Sequence, residues 1–340
     1  MQAIIPERYG RGIVRALVVS NMQPDAAHPE RGQFVRDQVA ALENLRGSED
    51  LELELYEFPP GPRALARAAL DLRRRYAPRR LRRRRASPAG FDVVHAHFGL
   101  TAWPALAVPA RVRALTIHGT DVSHPRTRLA TRAVMPLIDL PAAVSSELAG
   151  RVPGTAHRAV AVLPCGVDLA RFHPASRAES RAALGLDAAA HYLLFPADPT
   201  RPEKRYDRAV ELARAVGAEL LTLGGVAPAL VPQWVCAADA VVVPSEREGF
   251  GLAVLEALAC EVPVLATPVG IHAEALRGIA GTLCAPFDLA RWSAAVEPHL
   301  LGAAAPGGHV SARESAARFS ASAMAELVLE AWRTAVYSGG

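Results

Sequence analysis

The sequence predicts an α/β protein built on two doubly wound parallel sheets. Short apolar, β-branched runs alternate with longer amphipathic stretches along the chain, the pattern of repeated strand–helix units in a parallel sheet. The alternation falls into two series, separated by an irregular polar stretch after Pro164. A length of 340 residues is what about two domains require.

Strands of the first series are expected at Arg15–Ser20, Leu51–Phe58, Val93–Ala96, Leu115–Ile117, Ala142–Ser145 and Ala159–Leu163. Those of the second are expected at Tyr192–Pro196, Glu219–Leu223, Ala240–Pro244, Val262–Ala266 and Gly281–Cys284. Helical periodicity covers Gly32–Leu45, Arg63–Tyr76, Tyr206–Val216 and Leu252–Cys260. The expected division is a first domain over 1–164, a linker over 165–190, a second domain over 191–315 and a closing segment over 316–340. Open parallel sheets bind ligands beyond the carboxyl ends of their strands. Two facing sheets therefore imply a cleft, and residues that end strands and open helices are the candidates.

Composition bounds the function. Apolar residues make up 51%, charged residues 21%, and the mean hydropathy is +0.13, a globular balance too apolar for a disordered chain. A net charge of +4 does not by itself imply nucleic acid. No long apolar run is free of charge, so no membrane-spanning helix is expected. The start, MQAIIPERYGRGIVRALVVSN, has a short apolar run broken by Arg and no small-residue cleavage pattern, so no secretory signal is expected. Cys165, Cys236, Cys260 and Cys284 are far apart in sequence and form no C-x-x-C, which reads as reduced thiols of a cytosolic protein. Lys204 is the sole lysine among 38 basic residues, so arginine richness here reflects codon usage and Lys204 stands out.

The densest chemistry lies in VVVPSEREGFGLAVLEALACEVPVLATPVG, residues 241–270. A strand ends at Pro244-Ser245, a loop runs from Glu246 to Gly251, and a helix carries Glu256. Two glycines allow close backbone approach, and a helix start offers free N–H donors and a positive dipole end, which together suit an anion. Glu248 and Glu256 flank that anion site and suit hydroxyl groups, since ionised carboxylates accept strongly. Phosphate donors beside hydroxyl acceptors describe a nucleotide sugar; the plainer reading is an ordinary strand–loop–helix with surface carboxylates.

Glu248 through Glu256 resembles the E-x7-E motif of retaining GT-B glycosyltransferases, family 4 (group 1). The surrounding P-S-x-x-E-G-F-G and E-A-L-A-C-x-x-P-V-L-A-T-x-V-G runs are similar to the same family. The resemblance implies a GT-B fold: two Rossmann-like domains across a cleft. It places Glu248 near the donor sugar hydroxyls, Glu256 on the ribose, and Gly249, Phe250 and Gly251 against sugar and phosphate. In the loop after Leu193-Leu194-Phe195, the family's diphosphate-binding basic residue matches Lys204, with Arg201 as a second ligand. Many members carry an Arg nearer the strand end, about where Asp198 falls. The plainer reading of Lys204 is chance survival on a solvated helix end. Between Leu223 and Val235 the chain is shorter than in many members, resembling a short subgroup that includes teichuronic-acid-type enzymes, and Gly224 is the candidate base or ribose contact.

In the first half, FDVVHAHFGL ends a strand with His95 and His97, and RALTIHGTDV ends another with His118. Strand alternation puts the imidazoles of His95 and His97 on one face. Metal ligation is one reading of that pair, and packing or contact with the acceptor, through His97, is the other. The H-G-T-D segment resembles the family's strand end, which implies that His118 meets the donor and is the catalytic candidate of this half, beside Glu248 and Lys204 of the other; a buried structural histidine is the alternative. Gly32, before the first helix, matches a family glycine near the phosphate, and Arg36 is a candidate acceptor contact. VLPCGVDLARFHP resembles the family's linker, and 317–336 its closing helix, which returns to the first domain.

RRRYAPRRLRRRR, Arg73–Arg85, suits an anionic partner such as lipid headgroups or a lipid-diphosphate acceptor; a solvated face is the bland reading, and the run lacks aromatic interleaving for nucleic acid. The resemblance implies transfer of a sugar from a nucleotide diphosphate, UDP by default, with retention. No D-x-D is present, so no metal or other cofactor is expected. The acceptor would be a glycan, a lipid-linked or a small molecule, in bacterial envelope polysaccharide or glycoconjugate synthesis. The enzyme would be cytoplasmic, with peripheral contact at the inner membrane face. Competing readings are a nucleotide-sugar 2-epimerase, a non-catalytic nucleotide-sugar-binding module and a dinucleotide-dependent oxidoreductase; no G-x-G-x-x-G opens a helix to support the last.

Overall fold

A computed structural model describes residues 13–45, 51–76, 90–155, 159–302 and 309–337. Two parallel-sheet, Rossmann-like α/β units are present. The first takes the described parts of Met1–Gln23, Val35–Leu163 and Ala325–Gly340; the second takes Pro24–Phe34 and the described parts of Pro164–Met324.

The first sheet contains β1 (Val14–Ser20), β2 (Leu51–Glu57), β3 (Phe91–His97), β4 (Ala110–Ile117), β5 (Leu140–Ala143) and β6 (Ala161–Val162), in the order β2-β1-β3-β4-β5-β6. Every pairing is parallel. Central β1 and β3 are apolar and buried almost throughout, as a sheet covered on both faces demands. β2 lies at the edge and alternates, with Glu52 and Glu54 exposed between half-buried leucines, which discourages pairing with another chain. The second sheet contains β7 (Tyr192–Phe195), β8 (Glu219–Thr222), β9 (Ala240–Val243), β10 (Val264–Ala266) and β11 (Leu283–Cys284), in the order β11-β10-β9-β7-β8, again all parallel. Its core packs Leu193, Phe195, Val242, Leu265, Leu212 and the fully buried Trp292.

Several strand ends differ from the expected ones, each for a local reason. β5 stops at Ala143 because Ser145 caps the helix Ser146–Ala149, its Oγ accepting from Leu148 N–H at 3.3 Å. β10 starts at Val264 because Val262 N–H closes the preceding helix on Ala257 O, with Glu261 left-handed at φ 58°. The helix Gln33–Glu43 begins only after Gly32, whose φ of 70° turns the chain into it.

The helix Ala321–Tyr337 passes from the second unit into the first, where Trp332 is fully buried and its Nε1–H donates to His95 Nδ1 at 3.2 Å. No described helix is long and apolar enough to cross a membrane. Of the basic run, Arg73, Arg74 and Arg75 close the helix Pro62–Tyr76 and are exposed, while 77–85 lie outside the described residues.

Candidate functional site

The second unit gathers its candidate residues at the carboxyl ends of β7, β9 and β10. After β7 the chain makes a 3-10 turn, Pro202–Lys204, before the helix Tyr206–Ala215. After β9 it runs through Pro244-Ser245 into the loop that ends at Gly251, the N-cap of the helix Leu252–Ala259. The two loops are joined where Glu246 N–H donates to Glu203 O at 2.9 Å. That bond brings Lys204 to Glu248: Nζ donates to Oε1 at 2.7 Å and to Oε2 at 2.6 Å. Ser245 Oγ donates to the same Oε1 at 2.8 Å. Both charged side chains are largely buried, 15% exposed for Lys204 and 9% for Glu248. Burial alone would raise the Glu248 carboxyl, but the Lys204 ammonium and these hydrogen bonds hold it below the usual carboxylate range.

The glycines fit tight backbone positions. Gly251 has φ 111°, and a Cβ there would come within 2.5 Å of His272 Nε2. Gly270, at φ 58°, would drive a Cβ to 2.2 Å from Phe250 O. The turn at Gly270 lets Ile271 N–H donate to Phe250 O at 2.9 Å, which fixes the loop from behind. Thr267 Oγ1 donates to Ser245 O at 2.5 Å, tying β10 to the same loop. His272 is fully buried; its Nδ1 meets Thr267 O at 2.8 Å and so carries the proton, leaving Nε2 as a buried lone pair facing Gly251 without a hydrogen-bond partner among the described residues. Burial lowers its pKa, so the ring is neutral.

Phe250 is buried, Gly249 and Glu256 are half-buried, and Glu256 sits in the helix that Gly251 opens. Arg201 is half-exposed and bonds Glu203 at 3.0 and 2.6 Å. Gly224 is exposed in the loop after β8 and lies against Asp198, where a Cβ would approach its Cα to 3.3 Å. Lys204, Glu248, Ser245 and the Gly249–Gly251 backbone thus form one cluster. Arg201 stands beside it in the same loop.

The first unit forms a histidine cluster at the ends of β3 and β4. His97 Nδ1 and His118 Nε2 are 2.9 Å apart, and the rings of His95 and His97 stack at 4.7 Å, as alternation on one strand requires. His95 accepts from the Trp332 indole at Nδ1, so its proton is on Nε2 and is donated to Thr116 Oγ1 at 2.7 Å. Asp121 stitches the strand ends together: Oδ1 accepts from Gly99 N–H at 2.6 Å and Oδ2 from His118 N–H at 2.7 Å. Burial pushes its carboxyl up, and these backbone bonds work against that push. Burial also pushes His95 and His118 down to about 3 and His97 well below its ordinary value, so all three rings are neutral near pH 7.

His97 is 1% exposed and turned onto His118, so it supports that ring. Among the described residues no group of three His, Cys, Asp or Glu side chains is arranged to hold a metal ion. Arg36 is half-buried and pairs with Glu57 at 3.1 Å, and Gly32 is buried at the start of the first helix. Sequence reasoning missed Ser245, Thr267, Asp121 and His272. The first three sit inside the quoted motifs, while His272 carries no sequence signal.

Comparison with known proteins gives the family and the fold. Residues 186–300 match the model of glycosyl transferases group 1, and residues 7–171 match that of glycosyltransferase family 4. The D-inositol 3-phosphate glycosyltransferase of Frankia alni is 31% identical over 312 residues, 73% of this chain and 75% of that protein. The enzyme of the same name from Thermobispora bispora is 32% identical over 311 residues, 73% of this chain and 72% of its own. Among solved structures, sucrose-phosphate synthase from Thermosynechococcus elongatus superposes with a TM-score of 0.72 at 18% identity, covering 96% of this chain and all of that one. Anabaena HepE, solved with UDP and glucose, gives 0.65 at 16% identity, covering 93% of this chain and 98% of that one.

Proposed function

This chain belongs to the group 1, family 4 glycosyltransferases of GT-B fold, and from that premise we propose that it is a metal-independent, retaining enzyme that moves a sugar from a UDP-sugar to a glycan, lipid-linked or small hydroxyl acceptor in bacterial polysaccharide or glycoconjugate synthesis. The observation that carries the reading is the Lys204–Glu248–Ser245 cluster set against the glycine-lined start of the helix Leu252–Ala259. Departure of a nucleoside diphosphate needs negative charge stabilised at the bridging oxygen. Lys204, the N–H groups at the helix start after Gly251 and, beside them, Arg201 supply it without a metal. Glu248 accepts from donor sugar hydroxyls and Glu256 from the ribose, and Gly224 lies by the base. Neutral His118, held by His97 behind it and by Asp121 on its backbone, donates to the donor without adding a charge. Gly32 is assigned to the phosphate and Arg36 to the acceptor. The acceptor hydroxyl attacks from the leaving-group side and yields its proton to a phosphate oxygen, so no protein nucleophile is required.

Release of nucleotide from a panel of UDP-, GDP- and ADP-sugars tests the donor. Acceptors in the panel include inositol 3-phosphate, which the relatives' name suggests. UDP release that depends on an acceptor, with the α/β configuration of the donor kept in the product, is the expected result. Isomerised sugar without transfer marks an epimerase, and nucleotide binding without turnover marks a binding module. Exposed Arg63, Arg67, Arg73 and Arg74 of the helix Pro62–Tyr76 support contact with an anionic surface, which sedimentation with phosphatidylglycerol vesicles tests.

A further inference from the structure

Cys236 and Cys260 are distant in sequence but meet in the fold. Cys236 lies in the helix Val231–Ala237, Cys260 caps the helix Leu252–Ala259, and the two helices pack together. The two thiols lie within interaction range of each other, and neither is in a disulfide. Cys236 Sγ also meets His173 O at 3.7 Å. Both cysteines line a cavity of about 370 Å³, with Arg177, Asp239, Glu261 and His299 among its walls. The cavity adjoins Asp239 and Pro263, at the amino ends of β9 and β10, opposite the loop that carries Glu248. Nothing in the proposed transfer uses these thiols.

We propose that Cys236 and Cys260 form a thiol–disulfide modification site, with Cys236 as the attacking thiol and a low-molecular-weight disulfide entering the cavity as the oxidant. Its contact with Cys260 outweighs burial and holds the Cys236 thiol below its ordinary value, while Cys260 is pushed up by the same contact and by burial. Cys165 is driven up to about 12 by burial, and burial raises Cys284 as well. One thiol of the four is therefore prepared to act as thiolate, with its partner already in contact.

The Cys236 thiolate attacks one sulfur of R–S–S–R, forming Cys236–S–S–R and releasing RS⁻, which takes up the proton lost by Cys236. Cys260, deprotonated by solvent base, then attacks the Cys236 sulfur and expels the second RS⁻, which is protonated in turn. Two protein thiols lose two electrons and two protons, and the small disulfide becomes two RSH. The product tethers the end of the helix that carries Glu256 to its neighbour.

The test is oxidation of the full chain with oxidised glutathione, quenching with N-ethylmaleimide and peptide mapping. The expected outcome is a Cys236–Cys260 cross-link that dithiothreitol reverses. The Cys260→Ser variant should stop at a glutathione adduct on Cys236, and Cys165→Ser/Cys284→Ser should leave the cross-link unchanged. Full alkylation of Cys236 and Cys260 after oxidant treatment overturns the proposal, as does a cross-link through Cys165 or Cys284. Iodoacetamide labelling of the unsubstituted chain against pH provides a second measurement. Cys236 should react first, with its rate inflecting below the ordinary thiol range; labelling of Cys260 ahead of Cys236 refutes the assignment. Neither measurement depends on sugar transfer.

Discussion

Replacing Glu248 with glutamine separates the two tasks of the cluster. Lys204 Nζ lies 2.7 and 2.6 Å from the two carboxylate oxygens. A phosphate oxygen bonded to the same ammonium at about 2.8 Å would sit within roughly 5 Å of that carboxylate. At an effective dielectric near 20, like unit charges at this spacing repel by about 3 kcal/mol. Screening at a site open to solvent leaves about 1–2 kcal/mol, or roughly five- to thirtyfold in affinity. Glu248→Gln is therefore expected to bind UDP alone about tenfold more tightly. The amide also accepts more weakly from a sugar hydroxyl than a carboxylate does, a loss of roughly 1 kcal/mol or more. Turnover of the UDP-sugar should accordingly fall by about tenfold or more in kcat/KM. Calorimetric titration of UDP and an initial-rate assay on the same preparation read the two effects, with the melting curve showing that the variant is folded. Unchanged or weaker UDP binding by a folded variant would refute the argument that Glu248 competes with phosphate for Lys204.

Lys204→Ala leaves the Glu248 carboxylate buried without its cation, at a cost of about 3–5 kcal/mol, or roughly 6–20 °C in the melting temperature of the second unit. Because the folded Glu248 carboxyl is held below its unfolded value, the ion pair contributes fully above the usual glutamate pKa of about 4.3 and fades as pH falls through the depressed value. The gap between wild type and Lys204→Ala in thermal melts should thus close on acidification below about pH 4, and a constant gap would contradict the assignment. Gly270→Ala puts a Cβ 2.2 Å from Phe250 O and should cost about 2 kcal/mol or more while weakening UDP binding, which melting and calorimetry measure together. In the first unit, His95 and His97 are buried and neutral, with folded pKa values below the unfolded one. Their contribution is complete above about pH 6.5 and is lost as pH falls, by at most about 2–3 kcal/mol per pH unit for the two rings. Hydrogen exchange of β3 and β4 at pH 7.5 and pH 5 checks this, and equal protection would sink it.

The double series of strands was legible because parallel strands buried on both faces are short, apolar and β-branched, as in Ala240–Val243 and Leu193–Phe195. Strand ends were less legible, because capping decides them. Ser145 and Val262 read as strand by hydropathy, yet one caps a helix and the other closes one. Lys204 and Glu248 could be singled out by residue type and motif, but their mutual ion pair depends on the Glu246–Glu203 backbone bond between loops, which no local pattern encodes. The meeting of Cys236 with Cys260 and the burial of His97 against His118 were hidden for the same reason: each joins two separate strand–helix connections.

The charges around the cluster are not equivalent, and the difference bears on donor selection. Arg205 pairs with Asp207 and Glu246, Arg208 also reaches Glu246, and Arg201 pairs with Glu203. The Arg201–Glu203 pair has an arginine 50% exposed. Such pairs are worth about 0–1 kcal/mol, so a phosphate can displace them at little cost. Lys204 and Glu248 are both largely buried, and drawing Lys204 away without a new partner for Glu248 leaves an uncompensated carboxylate. A ligand that opens this pair must offer an anion to the ammonium and a hydroxyl donor to the carboxylate together. Inorganic pyrophosphate offers only the first, whereas a sugar nucleotide carries both in one molecule. Pyrophosphate should therefore compete poorly against UDP-sugar in the wild type and markedly better in Glu248→Gln, because the variant no longer has a charge that the sugar must satisfy.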